Sequence, residues 1–130
     1  MNDDDLLVPA NDILRRCEIL LHNHDEPLTP DQAADIQAIA TGARLFIERV
    51  IARAAQIQDL RTGQAFHNLT HELRGPINPM LGYPRLLLAG YNGTLTDQQR
   101  LHLQSIYDAS SRLLDDVNAL FVSARLNSHR

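Results

Sequence analysis

The stretch "FHNLTHELRGPINPMLGY", residues 66–83, places a histidine and a carboxylate side by side and then a glycine and a proline. Its apolar residues recur at spacings of three and four, which predicts a helix with one buried face. Continued to the end of that helix, the predicted buried positions are Phe66, Leu69, Leu73, Pro76, Met80, Tyr83 and Leu87. Because a proline removes a backbone hydrogen bond, the helix is expected to be loosened or bent near His71.

Two further helices are predicted, each beginning just after a Leu-Thr pair. Thr29 and Thr96 are the expected N-caps, because a threonine hydroxyl can accept hydrogen bonds from the free N–H groups of the first helical turn. After Thr29 the predicted buried positions are Ile36, Ile39, Ala43, Phe46, Val50, Arg53 and Ile57. After Thr96 they are Leu103, Ile106, Ser110, Leu113, Val117, Leu120 and Ala124. Both series predict helices that pack nearly parallel to their neighbours.

The first half of the chain is similar to the second half after a shift of 67 residues. Residues 6–39 and 73–106 share 11 identities among 34 positions, whereas unrelated helical sequences of this composition would give roughly two or three. An alternative explanation is that any two leucine-rich helices align, but this does not account for the matched proline, asparagine and Leu-Thr pair. The sequence therefore predicts an internal duplication.

The predicted fold is all-α, with residues 1–130 as a single domain. One helical hairpin cannot cover its own apolar stripe, whereas two hairpins can close a core between them. We therefore predict two antiparallel hairpins, residues 1–62 and 63–130, that form a four-helix bundle. The four predicted helices cover about residues 4–25, 30–60, 63–89 and 96–126.

Composition argues against several classes of protein. The net charge is −4 and no basic run is present, so a nucleic-acid partner is not expected. No apolar run approaches the roughly 20 residues that cross a bilayer, and the acidic start has the wrong charge for a secretory signal. The single cysteine, Cys17, cannot form an internal disulfide and fits a reducing compartment. We expect a soluble cytoplasmic protein that does not bind membranes.

A specific resemblance begins at the histidine box, which reads Thr70-His71-Glu72-Leu73-Arg74-Gly75-Pro76-Ile77 and is followed by Gly82. This run resembles the HisKA domain, the dimerisation and histidine-phosphotransfer domain of sensor histidine kinases. The second helix of that family often carries an Ile-x(6)-Leu-Leu pattern, which is matched at Ile106 and 113–114. The resemblance covers about residues 64–126 and implies a HisKA-like hairpin there. Combined with the duplication, it implies a degenerate hairpin in the first half and a pseudo-dimer within one chain.

The resemblance implies a catalytic set of His71, Glu72 and Arg74. His71 would take a phosphoryl group on a ring nitrogen and pass it to an aspartate of a response-regulator receiver domain. Its outward heptad position f keeps the imidazole out of the core, where it can act as a nucleophile. Glu72 would orient the imidazole and assist proton removal. Arg74 would stabilise the negative charge of the phosphoryl group. An equally weighted alternative is that Arg74 is only a solvated surface charge of the helix.

Several features depart from the family pattern. Gly75 stands where the family usually has Thr, Asn or Ser, a side chain implicated in dephosphorylating the partner, so phosphatase activity is not expected. Asp4 and Asp5 occupy the positions of His71 and Glu72 in the first copy, which leaves one candidate site. The sequence has no glycine-rich ATP-binding motif. No cofactor is therefore expected, and the phosphoryl group would come from a histidine kinase or ATP-binding domain in another chain or in a segment outside these residues.

Two functions fit the sequence: phosphotransfer at His71, or binding without phosphoryl chemistry. The chain could be a non-catalytic HisKA-like interaction protein that binds or regulates a kinase or response regulator, or associates with itself as a homo-oligomer. The intact histidine box favours phosphotransfer, whereas Gly75, the extra prolines and the degenerate first copy favour the interaction protein. His67 and His71 have the spacing of two zinc ligands on one helix face, but no third ligand is evident and no metal site is predicted.

Overall fold

The computed structural model describes residues 3–58 and 63–128, with the side chains in these ranges except those of 56, 58, 63–67 and 121–128. Within these ranges the secondary structure is entirely helical, which confirms the predicted all-α class. The helices are α1 (Asp4–His22), α2 (Pro30–Ala52), α3 (Ala54–Gln58), α4 (Gly63–Leu88) and α5 (Asp97–Ser128). Among them, none has the length and apolar character needed to span a bilayer.

The four long helices form a bundle. Helix α1 packs against α2 and α5, and α4 packs against the same two helices from the opposite side. The short helix α3 contacts α2 and α4. The apolar faces of all four long helices therefore meet in one core, as expected when two hairpins cover each other.

The core is built largely from the predicted positions. On α2 and α5 the predicted apolar residues are fully or almost fully buried from Ile36 to Val50 and from Leu103 to Leu120. On α4 the same holds for Leu69, Leu73, Pro76, Met80 and Leu87. Phe66 and Ala124, which were also predicted to be buried, lie outside the described side chains.

Two predicted core positions are wrong. Arg53 is exposed, because α2 ends at Ala52 and Arg53 stands in the break before α3, with φ −111° and ψ 17°. The helix predicted over residues 30–60 is therefore interrupted there. On α4, Tyr83 is only half-buried and Pro84 is buried in its place.

The buried face of α4 is wider than the predicted two-position stripe. Thr70 and Ile77 are fully buried although neither belongs to the predicted series. Both occupy heptad position e, next to the a and d positions. A helix that faces two neighbours in a globular bundle buries such a three-position stripe, whereas the two-position stripe is typical of a coiled coil.

Both predicted N-caps are confirmed as reciprocal capping boxes. The hydroxyl of Thr29 accepts from the N–H of Gln32 at 3.1 Å, and the side-chain oxygen of Gln32 accepts from the N–H of Thr29 at 2.9 Å. Thr96 and Gln99 make the same two bonds at 3.1 and 2.9 Å. Each pair satisfies two N–H groups that the helix itself leaves without a partner.

We expect Thr96→Ala to lower the free energy of unfolding by about 1 kcal/mol, because α5 loses its capping hydroxyl. Urea unfolding followed by circular dichroism measures this change. Thr41→Ala is the matched control, since the hydroxyl of Thr41 bonds to the carbonyl of Gln37 inside α2, where alanine is the better helix former. Equal losses in the two variants would contradict the capping assignment.

Cys17 is expected to be inert towards thiol reagents in the folded protein. Its side chain is fully buried on α1, and this burial raises the pKa of the thiol to about 12, so the reactive thiolate is scarce at neutral pH. Labelling with a chromogenic disulfide at pH 8 should proceed only as fast as the protein unfolds, and urea should accelerate it. Stoichiometric labelling within seconds in buffer alone would show that this part of the core is open.

Candidate functional site

His71 lies on the exposed surface of α4. The residues around it on the helix, Leu69, Thr70 and Leu73, are buried and fix the helix against the core. The predicted outward direction of position 71 follows from this packing, because a side chain at position f points away from the a and d positions. The imidazole is therefore carried by a rigid helix and presented to solvent.

Helix α4 continues without interruption through Pro76, Pro79 and Pro84. Pro76 has no N–H group, so the carbonyl of Glu72, four residues earlier, has no partner within the helix. The guanidinium of Arg49 on α2 donates to this carbonyl at 2.5 Å. Helix α2 thus supplies the hydrogen bond that the proline removed from the turn after His71.

The carboxylate of Glu72 is held by a second arginine of the same region. Nε of Arg53 lies 3.1 Å from Oε2 of Glu72, and Nη2 of Arg53 lies 3.2 Å from Oε1. This hydrogen-bonded pair lowers the pKa of Glu72, with nearby positive charge from Arg53 and Arg49 adding to the effect. The carboxylate to which the resemblance gives proton removal is therefore engaged by the guanidinium of Arg53, the residue that directly follows α2.

Arg74 extends in the other direction, towards α5. Its Nε donates to Oδ1 of Asn118 at 2.9 Å, and both residues are half-buried. The sequence assigned Arg74 to the stabilisation of phosphoryl charge, and the structure places it in a bridge between α4 and α5. Glu72 and Arg74 thus connect the histidine-bearing turn to the two neighbouring helices.

Sequence reasoning missed Arg49 and Asn118, and it placed Arg53 in the core. The signal for Arg49 was indirect: Pro76 frees the carbonyl of Glu72, and a partly buried carbonyl needs a donor. The sequence does not say which helix supplies that donor. His67, the other half of the zinc alternative, lies outside the described side chains, and within those described no cluster of three or more His, Cys, Asp or Glu residues could hold a metal.

A groove of about 450 Å³ runs between α2 and α4 beside Gly75 and Arg49. It is mostly apolar, with Gly42, Leu45 and Pro79 among its lining residues. A second groove, of about 650 Å³, runs between α1 and α5 and is lined by Asp4, Asp5, Val8, Pro9, Asp12, Ala109, Arg112 and Asp116. The two grooves differ in chemistry, because carboxylates dominate only the second.

Comparison with known proteins identifies the same family that the histidine box resembles. The model of the "His Kinase A (phospho-acceptor) domain" family matches residues 61–129, which is more than half of the chain and includes His71. Histidine protein kinase DivJ of Caulobacter vibrioides is 23% identical over 113 residues, which cover 87% of this chain and 16% of DivJ. Similarity to DivJ therefore extends into the first half of the chain.

Two cyanobacterial proteins are also similar. Circadian input-output histidine kinase CikA of Synechococcus elongatus is 33% identical over 64 residues, covering 49% of this chain and 8% of that protein. CikA of Synechocystis sp. is 30% identical over 95 residues, covering 64% and 13%. The chain thus spans less than a fifth of the length of these relatives. No solved structure matches it. The matched family model and the exposed histidine in its box show that the chain belongs to the His Kinase A (phospho-acceptor) domain family.

Proposed function

We propose that this chain is a phosphotransfer and dimerisation module of two-component signalling in which the two hairpins pair within one chain. In it, His71 accepts a phosphoryl group and passes it to an aspartate of a response-regulator receiver domain. The observation that carries the proposal is the exposed position of His71 on α4, within an intact histidine box of the matched family. A histidine kinase or ATP-binding domain, in another chain or in a segment outside these 130 residues, would supply the phosphoryl group in the cytoplasm, since no glycine-rich ATP motif occurs within them.

The chemistry needs an accessible neutral imidazole. A ring nitrogen of His71 attacks the phosphorus atom of the donor, so that a P–N bond forms while the donor's P–O bond breaks. In the second step a carboxylate oxygen of the receiver attacks the same phosphorus atom, and the P–N bond breaks. Both steps need the donor and acceptor to reach the phosphorus in line, which an imidazole at the bundle surface permits and a buried one would not.

We further propose that residues 1–62 are a degenerate copy of the HisKA-like hairpin and that the bundle is a pseudo-dimer. Equivalent contacts at the two loops support this. The side-chain amide of Gln32 donates to the carbonyl of Thr94 at 3.2 Å, and that of Gln99 donates to the carbonyl of Glu26 at 2.9 Å. Each capping glutamine therefore reaches the loop of the other hairpin.

The two surface grooves provide further support for the pseudo-dimer. Under the shift of 67 residues that aligns the halves, six lining positions of one groove correspond to six of the other: Gly42 and Ala109, Leu45 and Arg112, Arg49 and Asp116, Gly75 and Val8, Pro76 and Pro9, and Pro79 and Asp12. Asp4 then takes the place of His71. The proposed pseudo-dimer has one phosphoacceptor.

A direct phosphotransfer assay tests the proposed function. The chain is incubated with a panel of receiver domains charged with acetyl phosphate and, separately, with ATP and purified histidine-kinase ATP-binding domains. We expect acid-labile, base-stable phosphate on the chain, mapped to His71 by mass spectrometry. Specific binding to a receiver or kinase without any label would instead support the non-catalytic interaction protein and contradict phosphotransfer.

Sedimentation equilibrium tests the pseudo-dimer separately. A chain that closes its own four-helix core should remain a 14.6 kDa monomer with full helicity on dilution. A dimer that loses helicity when diluted would show that the hairpins pair between chains rather than within one.

A further inference from the structure

Two arginines of one helical region converge on the residue next to His71. Arg49 is in the last turn of α2 and Arg53 directly follows that helix, four residues later. Arg49 donates to the carbonyl oxygen of Glu72, and Arg53 makes two hydrogen bonds to its carboxylate. We name these three residues the Glu72 bracket. It connects the first hairpin to the turn of α4 that carries the histidine.

The backbone part of the bracket replaces a hydrogen bond that α4 lacks at the carbonyl of Glu72. Because Pro76 cannot donate, the carbonyl of Glu72 would have only water or a side chain as its partner. A Cβ atom added at Gly75 would lie 3.7 Å from the Arg49 guanidinium, an ordinary contact distance, so Arg49 could still reach the carbonyl beside a small side chain at position 75. The position of the turn from His71 to Pro76 therefore depends on a donor from another helix.

The side-chain part contributes little to global stability. The side chains of Arg53 and Glu72 remain 45% and 39% exposed, and ion pairs at such exposure are weakened by solvent. Its main effect is local, because two hydrogen bonds fix the direction and the charged state of the carboxylate beside the histidine. The pair exists above the lowered pKa of Glu72 and is lost as the pH falls through it.

The two arginines of the bracket have no counterpart at the shifted positions of the other hairpin. Pro9 frees the carbonyl of Asp5 in α1, as Pro76 frees that of Glu72. The shift of 67 residues, however, places Asp116 at the position of Arg49 and Leu120 at that of Arg53. Neither residue can offer a cation, so the arrangement is not a general requirement of this bundle.

We propose that Arg49 and Arg53 are positioning residues for phosphotransfer at His71. Arg49 holds the backbone of the proline-freed turn, and Arg53 holds the carboxylate of Glu72 on the α2 side. The geometry and the acid–base state of the phosphoacceptor turn are thus set by a helix from the other hairpin. This inference rests on the proposed function for its effect on transfer, whereas its structural part can be measured without any phosphate donor.

Nuclear magnetic resonance tests the structural part in the full chain. In Arg53→Gln we expect the pKa of Glu72 to rise towards the ordinary value for glutamate, and Arg53→Lys should restore part of the shift. In Arg49→Gln we expect amide hydrogen exchange in residues 72–75 to accelerate at least tenfold relative to the rest of α4, on the scale of local opening. An unchanged Glu72 titration and unchanged exchange would overturn the bracket.

The rate of phosphotransfer tests the functional part. Loss of positioning in Arg49→Gln should slow transfer roughly tenfold. In Arg53→Gln, the acid limb of the pH dependence of the transfer rate should shift to higher pH, together with the pKa of Glu72. Arg49→Lys, which keeps a cationic donor, should recover part of the rate and shows that slow transfer does not reflect misfolding. Wild-type rates and pH profiles in both glutamine variants would refute the positioning role.

Arg15→Gln is the matched control. Arg15 forms an exposed ion pair within α1, with Asp12 and not with Glu72, and its side chain is 59% exposed. This variant should keep the wild-type Glu72 titration and transfer rate. The outcomes also separate the two proposals: a wild-type chain that accepts no phosphate refutes the proposed function, whereas normal transfer in the bracket variants refutes only the bracket.

Discussion

Phosphate incorporation is expected to disappear completely in His71→Gln. Glutamine keeps a polar side chain of similar length at the exposed position on α4, but its amide nitrogen is not a nucleophile towards phosphorus. Because position 71 is exposed and makes no part of the core, helicity and unfolding free energy should stay within about 0.5 kcal/mol of the wild type. The measurement is acid-labile phosphate on the chain after incubation with a charged receiver or an active kinase domain.

His102→Gln is the control for His71→Gln. His102 is half-buried on α5, where its Nδ1 lies 3.0 Å from a guanidinium nitrogen of Arg16. Burial and the nearby arginines lower the pKa of this imidazole, which favours its neutral, nucleophilic form, but it lies outside the histidine box. The control should be labelled normally. Label retained in His71→Gln would place the phosphate elsewhere and refute the proposed function.

Gly42→Ala is expected to have the largest effect on stability. Gly42 is buried on α2 where this helix packs tightly against α4, and a Cβ atom there would lie 2.7 Å from the carbonyl oxygen of Pro76. It would also lie 3.1 Å from Pro79 and 3.2 Å from Met80. A backbone oxygen cannot move aside as a flexible side chain can, so the two helices must separate.

We expect Gly42→Ala to lower the free energy of unfolding by about 1–2 kcal/mol. Overpacking of a close helix contact costs about 1–3 kcal/mol, whereas the better helix propensity of alanine returns less than about 1 kcal/mol. Urea unfolding measures the difference. Gly82→Ala is the matched control, because nothing lies within 4 Å of a Cβ atom at that exposed position of α4. The control should be unchanged or slightly stabilised, and equal behaviour of the two variants would contradict the close approach.

Local signals in the sequence predicted much of the fold. The helix starts at Thr29 and Thr96 follow from residues three apart, which form the same capping box wherever a helix begins. The apolar spacing predicted the buried faces of α2 and α5, because an amphipathic helix has one face to bury whatever its partner is. The outward position of His71 follows from the same spacing. Its proposed chemistry came from the resemblance of the box.

The burial predictions that were wrong are those in which contacts between helices outweighed the spacing of apolar residues within one helix. Arg53 fitted the apolar spacing after Thr29, but α2 ends one residue before it and its guanidinium turns to Glu72 instead of the core. Thr70 and Pro84 are buried because α4 faces two helices at once, which spacing within one helix does not reveal. The internal duplication remains a proposal, supported by the equivalent loops and grooves.

The sequence by itself determined the four long helices, the caps of α2 and α5, most of their buried positions and the solvent-facing position of His71, because each depends on residues within a few turns of one another. Only the tertiary structure decided which side chains surround the turn of His71: Arg49 on α2 and Arg53 just after α2 bind Glu72, and Asn118 on α5 binds Arg74. Pro76 leaves a carbonyl without a donor, and the helix that supplies one depends on which faces pack together. That choice is made by the packing of the four helices around a common core.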